Sequence, residues 1–176
     1  MAKRLGGGRF VVQRHRARRL HYDVRLEIDG VLVSWAVPKG PTLDPAAKHL
    51  AVRVADHSID YIDFEGVIAA GDYGGGDVIV WDRGTWTPGH TTDPGRAVEA
   101  GELHVDLFGR KLQGRFIFVR SHRQRGSGRA SGQDEWLLFH KSDGFAQPGW
   151  NPEDHPRSVL SGLTNDEVAA AGPPGT

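Results

Sequence analysis

No cysteine occurs in the 176 residues. Disulfides and thiolate-bound metals are thereby excluded. Long hydrophobic runs are also missing, and nothing approaches the roughly 20 apolar residues of a membrane-crossing helix. The opening "MAKRLGGGRF" lacks the apolar stretch of a secretory signal. These absences lead to the expectation of a cytoplasmic monomer with no membrane partner. Acidic residues are scarce near the start. Across residues 1–25 only Asp23 stands against Lys3, Arg4, Arg9, Arg14, Arg16, Arg18, Arg19 and Arg25. The whole chain is neutral, with 22 Lys+Arg and 22 Asp+Glu, so the compensating negative charge lies further on. A local basic arm of this kind attracts a polyanion even in a neutral protein. A solvated terminus is the alternative.

What is present favours strands. Short apolar runs are punctuated by 24 Gly and 10 Pro, a pattern of many turns and few long helices. Phe10–Gln13 reads as a strand. In Tyr22–Asp29, Tyr22, Val24, Leu26 and Ile28 share one face while His21, Asp23, Arg25 and Glu27 share the other, because side chains alternate with period two. Asp29-Gly30 is a two-residue hairpin signal, and Val31–Val37 is the return strand. Leu50, Val52 and Val54 alternate again. Val78–Trp81 reads as a short buried strand closed by a turn at "DRG", "ELHVDLFG" and "GRFIFVRS" as a hairpin around "GRKLQG", and "EWLLFHK" as the last strand. The expectation is mainly β: a small antiparallel β-barrel of about seven or eight strands, with short peripheral helices and long loops. Pro94–Gly101 is expected to form one or two helical turns, and Thr164 to cap a short helix over "NDEVAAA". The expected organisation is a flexible basic arm at 1–9, a barrel domain at 10–142 with a flexible loop at 121–134, and an irregular tail at 143–176.

The chemistry concentrates in "HRARRLHYDVRLE". His21 and Asp23 are two apart on a strand and point to one face. His15 can join them across a bend at "RARR". Two imidazoles and a carboxylate form an N/O ligand set with open positions, suited to Mn, Fe or Zn. A hydrogen-bonded polar patch at the barrel mouth is the ordinary alternative. Arg25, next on the same face, favours an anion held beside a metal, such as a phosphate. Lys39, His49 and Arg53, and His57 and Tyr61 in "DHSIDY", extend the set of phosphate-type groups. "GDYGGG" reads better as a barrel corner. "KSDG" at 141–144 fits the lysine motif of nucleotidyl transfer, but a strand end followed by an Asp-Gly turn is expected there.

The stretch "FVVQRHRARRLHYDVRLEIDGVLVSWAVPKGPTLDPAAKHLAVRVADHSIDYIDFEG", continued by "GDYGGGDVIVWDRGTW" and "LFGRKLQGRFIFVR", closely resembles the 3′-phosphoesterase domain of bacterial and archaeal DNA ligase D. The resemblance covers roughly residues 9 to 142. It implies a β-barrel hydrolase of double-strand-break repair by end joining. Such an enzyme depends on Mn²⁺ and removes a 3′-terminal ribonucleoside and then the 3′-phosphate to leave a 3′-hydroxyl; the N/O ligand set of this chain also accepts Zn²⁺ or Co²⁺. By position, His15, His21 and Asp23 match metal ligands. Arg25, Lys39, His57 and Tyr61 match residues that contact the scissile phosphate or act on it. His49 stands where the family has an arginine; with Arg53 it is expected to meet substrate. Arg14, Arg16, Arg18 and Arg19 are expected to grip the DNA backbone. The implied partners are DNA 3′ ends on a primer-template and, beyond them, Ku, ligase and polymerase proteins. Two readings of other classes remain open: a non-haem iron oxygenase or cupin-like protein, and a module that binds DNA ends without cutting them.

Overall fold

A computed structural model describes residues 7–71, 75–121 and 133–172. Its frame is nine strands: β1 (Gly8–Arg16), β2 (Leu20–Ile28), β3 (Val31–Val37), β4 (His49–His57), β5 (Gly66–Ile68), β6 (Gly76–Pro88), β7 (Glu102–Gly109), β8 (Gln113–Arg120) and β9 (Asp134–His140). The hydrogen-bonded order is β1-β2-β3-β4-β9-β8-β7-β6-β5, and β1 also pairs with β6. That last pairing closes eight antiparallel strands into a barrel and leaves β5 as a short flap on β6. The expected barrel is therefore present. Closure removes the open edges that a sheet would otherwise expose.

The alternation in β2 sets the inside. Tyr22, Val24, Leu26 and Ile28 are buried in the barrel interior with Phe10, Val12, Trp35, Phe116, Phe118 and Trp136. Trp35 packs against Phe118 and Trp136 at 4.4 and 5.4 Å between ring centroids. The β2–β3 turn follows from its residues: Asp29 and Gly30 both take positive φ, 50° and 85°, as a two-residue type I′ hairpin requires.

One expectation about the chain's path needs correction. "DRG" at 82–84 is not a turn; it lies in the middle of β6, which runs 13 residues. The pairing of β6 with β1 slips between Val12 and Gln13, opposite Asp82 and Val80. Trp81 is thus the extra residue of a β-bulge, which bends the strand without ending it. Asp82 then serves the neighbouring hairpin. Its fully buried carboxylate accepts the N–H groups of Arg110, Lys111 and Leu112 at 2.9, 3.2 and 2.9 Å. The irregular segment after β9 is held against the barrel. Gln147 N–H donates to Leu43 O at 2.8 Å, Val159 N–H to Val80 O at 2.9 Å, and Trp81 Nε1 to His155 O at 2.6 Å, so residues 143–172 strap onto the barrel.

The arm expected at 1–9 gives up Gly8 and Arg9 to β1, and its first six residues lie outside the described ones. Most of the loop expected at 121–134, and residues 72–74 of "GDYGGG", also lie outside them. Both short helices are present: α1 (Pro94–Ala100), capped by Asp93, and α2 (Asn165–Ala171), where Thr164 and Glu167 form a capping box. "KSDG" follows the end of β9 in a bend.

Candidate active site

In an antiparallel pair, residues directly opposite each other share a face. The β1–β2 register sets His15 opposite His21, Gln13 opposite Asp23, and Val11 opposite Arg25, with residues 17–19 as the bend between. The β2–β3 register sets Arg25 opposite Ser34. All these side chains lie on the outer face of the barrel, yet most are buried. Asp23 is 6% exposed and Arg25 3%. The cover is a single 3-10 turn, Ile59–Asp63, which Ser58 caps by accepting the N–H of Asp60. Its Ile62 packs with Val11, Leu32 and Val80 in a small second core. That apolar patch pins the turn down and brings His57 and Tyr61 over the β1–β2 hairpin.

His15, His21 and Asp23 converge: one ligand atom from each lies within 4.8 Å of the others. Asp23 Oδ2 is 3.6 Å from His15 Nδ1, 3.2 Å from His21 Nε2 and 3.3 Å from Arg25 Nη2. Burial alone would push the Asp23 carboxyl up. The two histidines and the Arg25 charge outweigh it and hold the group well below the usual carboxylate range. A carboxylate that stays ionised next to two imidazoles is the donor set a divalent cation of the Mn²⁺ or Zn²⁺ class requires.

Arg25 links this triad to a second group of residues. Its Nε donates to Gln13 Oε1 at 2.6 Å and its Nη1 to Ser34 Oγ at 2.9 Å. Nη1 also lies 3.1 Å from His57 Nδ1, and the guanidinium carbon sits 5.2 Å from the Tyr61 ring centroid. His57 Nδ1 is 3.0 Å from Ala55 O as well, so the tautomer decides whether it accepts from Arg25 or donates to Ala55. Burial, then the Arg25 charge, pushes the His57 pKa below its ordinary value. Tyr61 stacks on Phe64 at 4.9 Å.

Gln13 and Ser34 carry no motif that marks them in the sequence. Gln13 is fully buried; besides accepting from Arg25 it donates to the carbonyls of Tyr61 and Phe64, both at 3.1 Å. It fastens the covering turn to the site. The signal that could have found it is strand parity, since Gln13 shares a face with His15.

The remaining expected residues sit elsewhere. Lys39 and His49 line a cleft of about 510 Å³ with Tyr22, Trp150, Glu153 and Leu20, the residue before His21. His49 Nδ1 lies 2.6 Å from Gly40 O. Arg53 pairs with Asp56 at 3.3 Å and lies over Trp35. Arg14 and Arg16, expected to grip DNA, are instead engaged within the chain. Arg14 donates to Glu153 at 2.7 Å and to Asn165 at 2.8 Å; Arg16 donates to Asp77 at 2.8 Å and to Asp166 at 2.5 Å. Both residues flank His15 and face carboxylates that sequence proximity could not reveal. Arg18 and Arg19 are exposed on the bend beside the triad.

A family model described as the DNA Ligase D 3′-phosphoesterase domain matches residues 13–120, more than half of the chain. The multifunctional non-homologous end joining protein LigD of Pseudomonas aeruginosa is 55% identical over 139 residues, covering 79% of this chain and 16% of that protein. The multifunctional non-homologous end joining DNA repair protein LigD of Mycobacterium tuberculosis is 48% identical over 120 residues, covering 68% of this chain and 15% of that protein. The multifunctional non-homologous end joining protein LigD of Mycolicibacterium smegmatis is 41% identical over 152 residues, covering 83% and 18%. The chain thus spans less than a fifth of the length of these relatives. Among the described residues no helix is long and apolar enough to cross a membrane.

Proposed function

The chain belongs to the family of DNA ligase D 3′-phosphoesterase domains, and on that premise we propose that it trims the 3′ ends of broken DNA during end joining, as a hydrolase that uses a divalent metal of the Mn²⁺ class. The observation that carries this reading is the shared Asp23 carboxylate, with the His15 and His21 nitrogens on one side and the Arg25 guanidinium on another. A site for a cation alone gains nothing from a buried arginine 3.3 Å from its carboxylate; a site for a cation and a phosphate does.

His15, His21 and Asp23 would hold the ion, which supplies Lewis-acid charge to the phosphate when bound. Arg25, kept in place by Gln13 and Ser34, stabilises negative charge that builds on the phosphate oxygens. Water adds to phosphorus and the bond to the leaving oxygen breaks. On a diester that oxygen departs with the terminal ribonucleoside and leaves a 3′-phosphate. On the monoester it becomes the 3′-hydroxyl, and inorganic phosphate is released. In the free protein burial and then the Arg25 charge hold the His57 pKa below its ordinary value. A phosphate arriving beside it raises its proton affinity, so it becomes the cation that clamps the anion or the acid that protonates the leaving oxygen. Tyr61 orients the phosphate, and Arg18 and Arg19 meet the DNA backbone. Lys39 and His49 contact the substrate phosphate from the cleft that Leu20 also lines.

The test is a labelled primer-template ending in a 3′-ribonucleotide or a 3′-phosphate, incubated with and without Mn²⁺. Loss of the ribonucleoside followed by phosphate release, only with metal, is the expected result. Binding of the end without release would support the non-catalytic module. Turnover that needs Fe²⁺ and O₂ would support the oxygenase.

A further inference from the structure

A second pair of histidines with a carboxylate lies at the other end of the barrel. Glu102 and His104 are two apart on the outer face of β7, and His90 follows the end of β6. One ligand atom from each of the three lies within 4.8 Å of the others. His104 Nε2 is 2.7 Å from Glu102 Oε2, and the two imidazole rings are 4.0 Å apart between centroids. We propose that His90, Glu102 and His104 form a second binding site for a divalent cation of the Zn²⁺ class, independent of the triad around Asp23 and of the function proposed above.

Three observations support it. The first is position. Val78 of β6 stands opposite His15, whereas Pro88, two residues before His90, stands opposite Val105. The ten steps of β6 from Val78 to Pro88 span roughly 33 Å at about 3.3 Å each, so the cluster is no extension of the first site. The second is preorganisation. Gly89 N–H donates to His104 O at 2.8 Å, and Asp93 N–H to Thr91 Oγ1 at 3.0 Å. The first bond fixes the residue before His90 against β7, and the second shapes the turn that follows it. The third is charge. The first triad has a guanidinium on its carboxylate. Here Arg120, beside Gly101, donates to Asp134 at 3.1 Å, and Arg115 lies so close to Gly89 that a Cβ there would come within 2.7 Å of its Cζ. Its charge is already met by Asp106 through contacts of 2.7 and 3.0 Å. Glu102 thus brings an unshared carboxylate to two imidazoles, a donor set that suits a cation and not a phosphate. Two imidazoles and one carboxylate favour Zn²⁺, Co²⁺, Ni²⁺ or Cu²⁺ over Mg²⁺ or Ca²⁺, with water completing the coordination. A bound ion would staple the β6–α1 connection to β7.

The experiment is equilibrium dialysis of the full chain against Zn²⁺, with metal content measured directly. The wild type should bind two ions per chain. H90A/H104A and, separately, E102Q/H104Q should each lose one ion while circular dichroism stays unchanged, since these side chains lie at the surface. D23N should retain the ion at His90. Unchanged stoichiometry in both His104 variants would overturn the proposal. So would a Kd for the second ion weaker than about 100 μM, the level of an adventitious ion only. Visible absorption of Co²⁺-loaded D23N supplies an independent readout: the expected imidazole-ligand bands should vanish in D23N/H90A/H104A, and bands that persist would overturn it.

Discussion

Arg25 Nη1 lies 3.1 Å from His57 Nδ1. This one contact ties two parts of the site that are 32 residues apart in the chain: the metal-type triad on the β1–β2 hairpin, and the covering turn that carries Tyr61. Arg25 thus has Asp23 on one side, at 3.3 Å, and His57 on the other. The two halves can be separated by mutation.

His57→Ala removes a group that contacts Arg25 without belonging to the triad. It should fold and bind Mn²⁺ with near-wild-type affinity but fall at least about 10²-fold in 3′-phosphate release, the lower range for a positioned acid or base. Metal binding and release are measured on the same preparation. Near-normal release would leave His57 as a turn histidine only. Failure to bind the metal would make it a ligand.

Asp23→Ala acts on the other half. It deletes the only carboxylate of the triad and leaves the Arg25 charge buried. Mn²⁺ binding and activity should both disappear in titration calorimetry and in the release assay, and stability should drop as well, because a buried charge no longer has its counter-ion. Normal Mn²⁺ affinity in this variant would sink the assignment.

The arginines around His15 should divide into two groups. Arg18 and Arg19 are exposed. Replacing both with alanine should weaken DNA binding for every sequence. It should also flatten the plot of log affinity against log salt by about 0.7–0.9 for each phosphate that the protein no longer neutralises. Arg14 is paired with Glu153 and Asn165. Arg14→Ala should leave that slope nearly intact and cost about 1.5–3 kcal/mol in urea unfolding, the range for hydrogen bonds to charged groups. Equal effects on the salt slope from both replacements would reject the division.

Glu153 gives the metal-free fold a dependence on acid. Hydrogen bonding from Arg14, then burial working against it, sets its pKa, and with Tyr22 also donating to it the net result is a value below the ordinary 4.5. A depressed acid favours folding while it is ionised. Its contribution is complete above 4.5 and is lost as pH falls through the lower folded value. The apo protein should lose stability as pH drops below about 4.5, and Glu153→Gln should be less stable at neutral pH with a shallower decline. Urea midpoints across the acid range up to neutrality measure this; parallel curves for the two proteins would refute it.

The sequence by itself determined what depends on near neighbours. Period-two alternation set the buried face of β2, two positive-φ residues made the Asp29-Gly30 turn, and Thr164 capped α2. His21, Asp23 and Arg25 had to share a face, because no register of a strand separates residues two apart. Tertiary structure decided what depends on pairing across the barrel. The bulge at Trp81 turns an expected strand end into the middle of a 13-residue strand. The outer face of β2 is buried because Ile62 finds Val11, Leu32 and Val80, a meeting of four separate segments. Arg14 and Arg16 meet Glu153 and Asp166 from residues 139 and 150 positions away. His90 and His104 come together only once β6 pairs with β7. Local patterns carry the propensity of a segment and the side each residue faces. They do not carry the register in which distant segments close on each other, and here that register decides which arginines are already neutralised and which histidines can share an ion.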